Sequence, residues 1–181
     1  MAFYYPKIGA ATAEQFFYAY PYKMNLINPG AELGTIEGWT VYDGDYKVDD
    51  TWELREGSNF YFYAGTTGYS RLGQDIKTNT YHNLCIDSEL VEVEISYWCN
   101  CSGPTVDGAR ASVDFLNEGM EVIGQGVGEI QYIRLYESQV KERFRVPSQT
   151  RTIRVYIESI RRFGTSNDGY IDDVEVWLLK E

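Results

Sequence analysis

Thr152-Ile153-Arg154-Val155-Tyr156-Ile157-Glu158-Ser159-Ile160 decides the fold: Ile153, Val155 and Ile157 alternate strictly with Arg154, Tyr156 and Glu158. An extended chain points successive side chains to opposite faces, so this spacing gives a strand with one buried and one wet face. The same alternation recurs on both sides of it. Val91, Val93, Ile95 and Tyr97 oppose Glu92, Glu94 and Ser96, while Val174, Val176 and Leu178 oppose Asp173, Glu175 and Trp177. Strands buried on one face only belong to antiparallel sheets.

Further strands are predicted over 39–42, 59–64, 69–76, 109–116, 122–125, 130–136 and 140–146. Asp43-Gly44, Asn117-Glu118-Gly119 and Asn167-Asp168-Gly169 are turn signals between them. Gly124-Gln125-Gly126-Val127-Gly128 lacks the helix and Lys of a phosphate loop and reads as a hairpin turn. About ten short strands without a long helix predict an all-β, antiparallel β-sandwich or jelly roll. Trp39 is assigned to its core. The first 23 residues stand apart as an N-terminal arm, with 24–181 forming the sandwich. Thr12-Ala13-Glu14-Gln15 has capping-box spacing and predicts a short helix over 13–20. Ahead of it Phe3, Tyr4 and Tyr5 have nothing obvious to cover them. The arm either folds back or reaches a partner, including another copy in a homo-oligomer.

Composition narrows the function. Sixteen Lys and Arg against 27 Asp and Glu leave a net charge of −11, which repels phosphate backbones and excludes nucleic acid as an expected partner. The cluster Arg151, Arg154, Arg161 and Arg162 is interrupted by Glu158 and reads as a solvated strand face. No apolar run approaches the roughly 20 residues of a membrane helix, so membrane insertion is not expected. Pro6, Lys7 and Glu14 break up any signal peptide, which predicts folding in a cytoplasm. Three cysteines cannot pair completely. His82, Cys85, Cys99 and Cys101 could together ligate zinc, against the alternative of buried thiols and an ordinary histidine. With one histidine, no nucleophile elbow and no marked pair of carboxylates, the chain is read as non-catalytic.

Two segments carry a resemblance. Asn25-Leu26-Ile27-Asn28-Pro29-Gly30-Ala31-Glu32-Leu33-Gly34, followed by Gly38-Trp39, pairs with the closing Asp168-Gly169-Tyr170-Ile171-Asp172-Asp173-Val174-Glu175-Val176. Together they resemble the galactose-binding-like jelly rolls, among them many carbohydrate-binding modules and domains of phage virion proteins. The resemblance implies a structural calcium between opening segment and final strand, here at Glu32 and Asp172. Alternation adds that Asp172 shares the face of Val174 and Val176 and should point inward, where a bare charge is prohibitively costly. A cation would compensate it; so would a backbone N–H or an Arg.

For sugars, the candidate stacking rings are Tyr42, Trp52, Tyr61, Tyr63, Tyr69 and Trp98, with Tyr132 and Tyr136 as further choices. Asp45, Asp49, Asp50 and Asn79 are candidate polar contacts. The resulting expectation is a virion component, either capsid decoration or a tail or fibre accessory protein. Its partners would be other virion proteins through Phe3, Tyr4 and Tyr5, or cell-surface glycans. The alternative is a free-standing, calcium-stabilised carbohydrate-binding module.

Overall fold

A computed structural model describes residues 21–50, 58–88, 91–101, 107–132 and 138–180. These form β1 (Tyr22–Met24), β2 (Thr40–Asp43), β3 (Lys47–Asp49), β4 (Tyr61–Tyr63), β5 (Tyr69–Lys77), α1 (Thr80–Asp87), β6 (Val91–Cys101), β7 (Gly108–Leu116), β8 (Val122–Val127), β9 (Ser138–Arg145), β10 (Thr152–Ile160) and β11 (Gly169–Lys180). The strands make two antiparallel sheets. Sheet A has the order β3-β4-β11-β6-β9, with β1 also paired to β11, and sheet B the order β2-β5-β10-β7-β8.

The alternation in β10 does what its spacing predicts. The strand pairs along all nine residues with β5 on one side and β7 on the other. Ile153, Val155 and Ile157 are fully buried and join Val93, Ile95, Val176 and Leu178 of sheet A in one core. Each such side chain taken from water contributes about 1.5–3 kcal/mol. Trp39 is buried there too, its ring edge-on to Phe62 at 5.3 Å and its Nε1 donating to the Asn28 carbonyl at 3.1 Å.

Several expectations need correction. The glycine run is not a turn: Gly124 and Gly126 lie within β8. A Cβ on Gly124 would stand 2.5 Å from Pro147 Cγ, and one on Gly126 would stand 2.3 Å from Phe144 Cδ1. Glycine at alternate positions lets these side chains settle onto the strand. Within 130–136 the described residues show only an isolated bridge from Gln131 to Ala109, and 133–137 lie outside them.

Helix α1 was not anticipated. Its N-cap is Asn79, whose side chain accepts from His82 N at 2.9 Å, while Asn79 N donates to His82 Nδ1 at 3.3 Å. His82 thus takes the place of the usual Glu or Gln in a capping box. Burial lowers its pKa, and its ring packs edge-on against Tyr22 at 4.3 Å. Among the described residues no three His, Cys, Asp or Glu side chains gather as metal ligands; the Cys101 side chain lies outside them.

The predicted 13–20 helix and Phe3, Tyr4 and Tyr5 also lie outside the described residues. The arm boundary drawn after Lys23 cuts through β1, whose Lys23 pairs with Trp177.

Candidate functional site

The residues that alternate with the core of sheet B make up its outer face, and cross-strand register sets them in rows. Arg154 stands between Asp75 of β5 and Asp114 of β7, Tyr156 between Gly73 and Ser112, and Glu158 between Arg71 and Arg110. At the sheet edge a register shift between Val41 and Asp43 of β2 accompanies Tyr42, whose ring lies edge-on to Tyr156 at 5.1 Å. Gly73 makes room for both rings. A Cβ there would come within 2.6 Å of Tyr156 Cδ1 and 3.0 Å of Tyr42 Cε2.

The polar groups hold one another in place. Arg154 grips Asp75 with two bonds, Nε to Oδ1 at 2.5 Å and Nη2 to Oδ2 at 2.9 Å. Asp114 accepts from the Tyr156 hydroxyl at 2.8 Å and from Gln125 Nε2 at 2.7 Å. Glu158 accepts from Arg110 Nε at 2.6 Å and from the Ser112 hydroxyl. Such forks preorganise the side chains, so a ligand need not order them. Tyr156 and Glu158 are buried although they face outward, whereas Tyr42 is 38% exposed.

The electrostatics follow from burial and these partners. Burial, with the Asp114 carboxylate as acceptor, pushes the Tyr156 hydroxyl up to about 12, so it stays a donor at neutral pH. Burial and the nearby Glu158 charge raise Tyr69. The Asp75 fork holds Arg154 well above its ordinary value. Altogether the face offers a ring edge, fixed carboxylates and guanidinium groups over a floor of two tyrosines. That suits hydroxyl-rich ligands, whose C–H faces pack on rings and whose hydroxyls bond to fixed polar groups.

Of the predicted ring residues, the structure brings Tyr42 and Tyr69 to this face. Tyr61 and Tyr63 lie on β4 of sheet A, where both pack against Tyr170, at 5.0 and 5.7 Å. Tyr61 is fully buried, so its ring has no open face. Trp98 lines a separate cavity of about 370 Å³ beside the opening segment, with Lys23, Pro29, Asp173 and Glu175. There Glu175 already accepts from Lys23 and from Trp177 Nε1. Trp52 and Tyr136 lie outside the described residues. Tyr132 stacks with Arg162 at 5.4 Å. Asn79 is the helix cap, and Asp45 pairs with Lys47 at 3.1 Å. Asp49 accepts from the backbone N–H of Asp50 at 2.8 Å.

The residues missed were Arg71, Asp75, Asp114, Arg154, Tyr156 and Glu158. Their signal was the wet side of the alternation itself: Tyr69-x-Arg71-x-Gly73-x-Asp75, Arg110-x-Ser112-x-Asp114 and Arg154-x-Tyr156-x-Glu158.

Asp172 is fully buried, yet not by pointing into the core. It pairs with Trp98, and the register slips between Asp172 and Glu175, where Asp173 has a φ of 44°. Ordinary alternation puts Asp172 on the opposite side from its neighbour Ile171, which is in the core, and the extra residue of the bulge is what returns Val174 to the core side. Asp172 is buried near the opening segment instead, where Pro29 O accepts from Val174 N at 3.0 Å. Asp172 Oδ2 accepts from the Ser58 hydroxyl at 2.6 Å and Oδ1 from Asp173 N at 2.7 Å. Glu32 is exposed and accepts from Asn59 through both oxygens, each at 3.3 Å. The two carboxylates are therefore tied to adjacent residues, Ser58 and Asn59. Both carboxylates already accept from hydroxyl or N–H donors, and as hard oxygen groups they are of the type that calcium takes.

A carboxyl with a different character lies between the sheets. Glu142 of β9 accepts from the Tyr97 hydroxyl at 3.2 Å, its Oε2 is buried without a hydrogen-bond partner, and burial pushes it up to about 7.

No family model matches the chain, and no curated protein matches its sequence. Solved structures do share its fold. The enzymatically active domain of tailspike protein 4 from bacteriophage CBA120 is 14% identical and matches 86% of this chain with a TM-score of 0.63; the chain spans 21% of that protein's length. Carbohydrate-binding modules recur among the matches. One, TmCBM61 in complex with beta-1,4-galactotriose, is 17% identical over 87% of this chain and 99% of its own, with a TM-score of 0.56. The Stig cyclase Fisc from Fischerella sp. is 11% identical over 89% of this chain and 99% of its own, with a TM-score of 0.59. Likeness at this level establishes a jelly-roll β-sandwich and nothing finer, since a sugar binder and a cyclase both use it.

Proposed function

We propose that this protein binds a glycan chain across the outer face of sheet B and does so without catalysis. The observation that carries this reading is the Tyr42 ring, standing exposed and edge-on to Tyr156 among side chains already locked by the fork of Arg154 on Asp75 and the ion pair of Arg110 with Glu158. A shallow sheet face admits an extended chain running across the strands, and the carbohydrate-binding modules of this fold support the choice of ligand class. Tyr42→Ala removes an exposed ring, so it should lower glycan binding about tenfold while costing no more than about 1.5 kcal/mol of stability, the worth of its edge contact with Tyr156. A glycan array of the full chain, followed by titration of the best ligand with both proteins, checks this. A blank array, or full affinity in the variant, sinks the reading.

In the same proposal, Glu32 and Asp172 hold a structural calcium that pins the opening segment to β11. A chelator should then lower the melting temperature of the protein. A melting curve unmoved by chelator and by added calcium would remove the metal.

The likeness to a phage tailspike domain favours a second reading for the whole protein, as a virion component whose arm, through Phe3, Tyr4 and Tyr5, attaches it to other capsid or tail proteins. A deletion of residues 1–20 leaves β1 intact. It should abolish incorporation into particles while preserving glycan binding.

A further inference from the structure

We propose that the glycan taken by sheet B is acidic, and that Arg71 receives its anionic group. This rests on the reading of sheet B as a glycan-binding face and narrows the ligand within it.

Arg71 lies directly across β5 and β10 from Glu158, which would be its natural partner. Glu158 is turned the other way. One of its oxygens takes Arg110 Nε and the other the Ser112 hydroxyl, both on β7. Asp75 is engaged in the Arg154 fork and Asp114 by Tyr156 and Gln125, while Asp43, which stands across from Arg71 on β2, makes no ion pair with it. Arg71 therefore has no ion pair among the described residues, and its Nε is buried without an acceptor. Its guanidinium lies instead on tyrosine rings, the carbon 4.7 Å from the Tyr156 centroid and 5.9 Å from that of Tyr42. Both rings lie within cation–π reach of the guanidinium and offer its N–H groups no carboxylate oxygen.

A planar cation beside these rings, with its Nε unanswered, fits a carboxylate or sulfate oxygen pair. A neutral hydroxyl accepts one such bond, whereas a carboxylate or sulfate accepts with charge and with two oxygens at once, the stronger pairing. The overall charge of −11 does not oppose this locally, because physiological salt screens charges beyond about 8 Å. The chemistry is shared by uronates, sialates and sulfated sugars, so the experiment separates them.

The test is an array of neutral galacto-, gluco- and xylo-oligosaccharides beside uronate-, sialate- and sulfate-bearing glycans, probed with the full chain and three variants. Acidic glycans should bind at least about tenfold more tightly than neutral ones, and the preference should weaken as salt rises. Whichever acidic class binds identifies the source of the anion. Arg71→Gln should erase the preference, and Arg71→Lys should retain part of it. Lys47→Gln makes the same charge change on β3 of sheet A and should leave the preference intact. Equal binding of neutral and acidic glycans, or a preference that survives Arg71→Gln, overturns the inference while glycan binding itself stands. A loss of preference with Lys47→Gln as large as with Arg71→Gln also overturns it, since net charge would then be the cause. An array blank for every glycan removes both this inference and the reading beneath it.

Discussion

The two outer faces of the sandwich are built from the same residue types and end in opposite states. On sheet A the chain covers its own polar and aromatic groups. Glu94 is clamped by Lys141 at 3.3 Å and Arg143 at 2.8 Å, Glu175 by Lys23, and Tyr61 and Tyr63 pack against Tyr170. On sheet B the rings and ion pairs are equally fixed, yet Tyr42 stays exposed and Arg71 has no carboxylate partner among the described residues. Aromatic and charged residues do not by themselves mark a binding surface. What marks it is that they are held rigid and then left uncovered.

The sharpest way to break that comparison is to delete one buried ring from each face. Tyr156→Ala and Tyr61→Ala should each cost about 3 kcal/mol in urea melts, the usual toll for a large buried aromatic. Only the first should also abolish glycan binding. Tyr156→Phe, which loses the bond to Asp114 but keeps the ring, should cost about 1 kcal/mol. If Tyr61→Ala proved as damaging to binding as Tyr156→Ala, the functional difference between the faces would disappear.

The seam between the sheets gives a smaller effect with a sign. Glu142 titrates near 7 when folded, above its ordinary range, because burial beside Tyr97 disfavours its charge more than Arg110 relieves it. The folded state then holds a proton that the unfolded chain releases at about 4.3. Stability should be fully present below that value and should fall as pH rises through about 7. Thermal melts from about pH 5 to pH 8 should show the decline, and Glu142→Gln should flatten it. An equally steep profile in the variant would assign the titration to another group.

The smallest expected effect belongs to the closed face. Arg143→Gln leaves Glu94 its bond to Lys141, and the arginine side chain is 58% exposed. The cost should be under about 1 kcal/mol, with glycan affinity unchanged.

The architecture was legible because alternation is a backbone property, and β5, β6, β7, β10 and β11 all follow it with few interruptions. The outer face of sheet B was legible in part. Arg154 and Glu158 read as an ordinary solvated strand, since a sequence gives the wet side of a strand without saying what lies across from it. Only the register of β10 between β5 and β7 turns those residues into rows. Asp172 illustrates the opposite failure. Its phase was counted through Asp173 as if the strand were regular, and a bulge with a left-handed residue reversed the side on which it lies. Helix α1 escaped notice because histidine filled a capping position where a carboxylate or amide is usual.

The place of β11 in sheet A has a consequence in time. Every strand of sheet B has been synthesised once Ile160 is made, whereas sheet A needs β11 between β4 and β6. On a ribosome sheet B can therefore assemble first, while β6 waits with one long edge unpaired. That waiting edge is the chain's most exposed template for mispairing with another nascent copy, and it closes only when the last strand arrives.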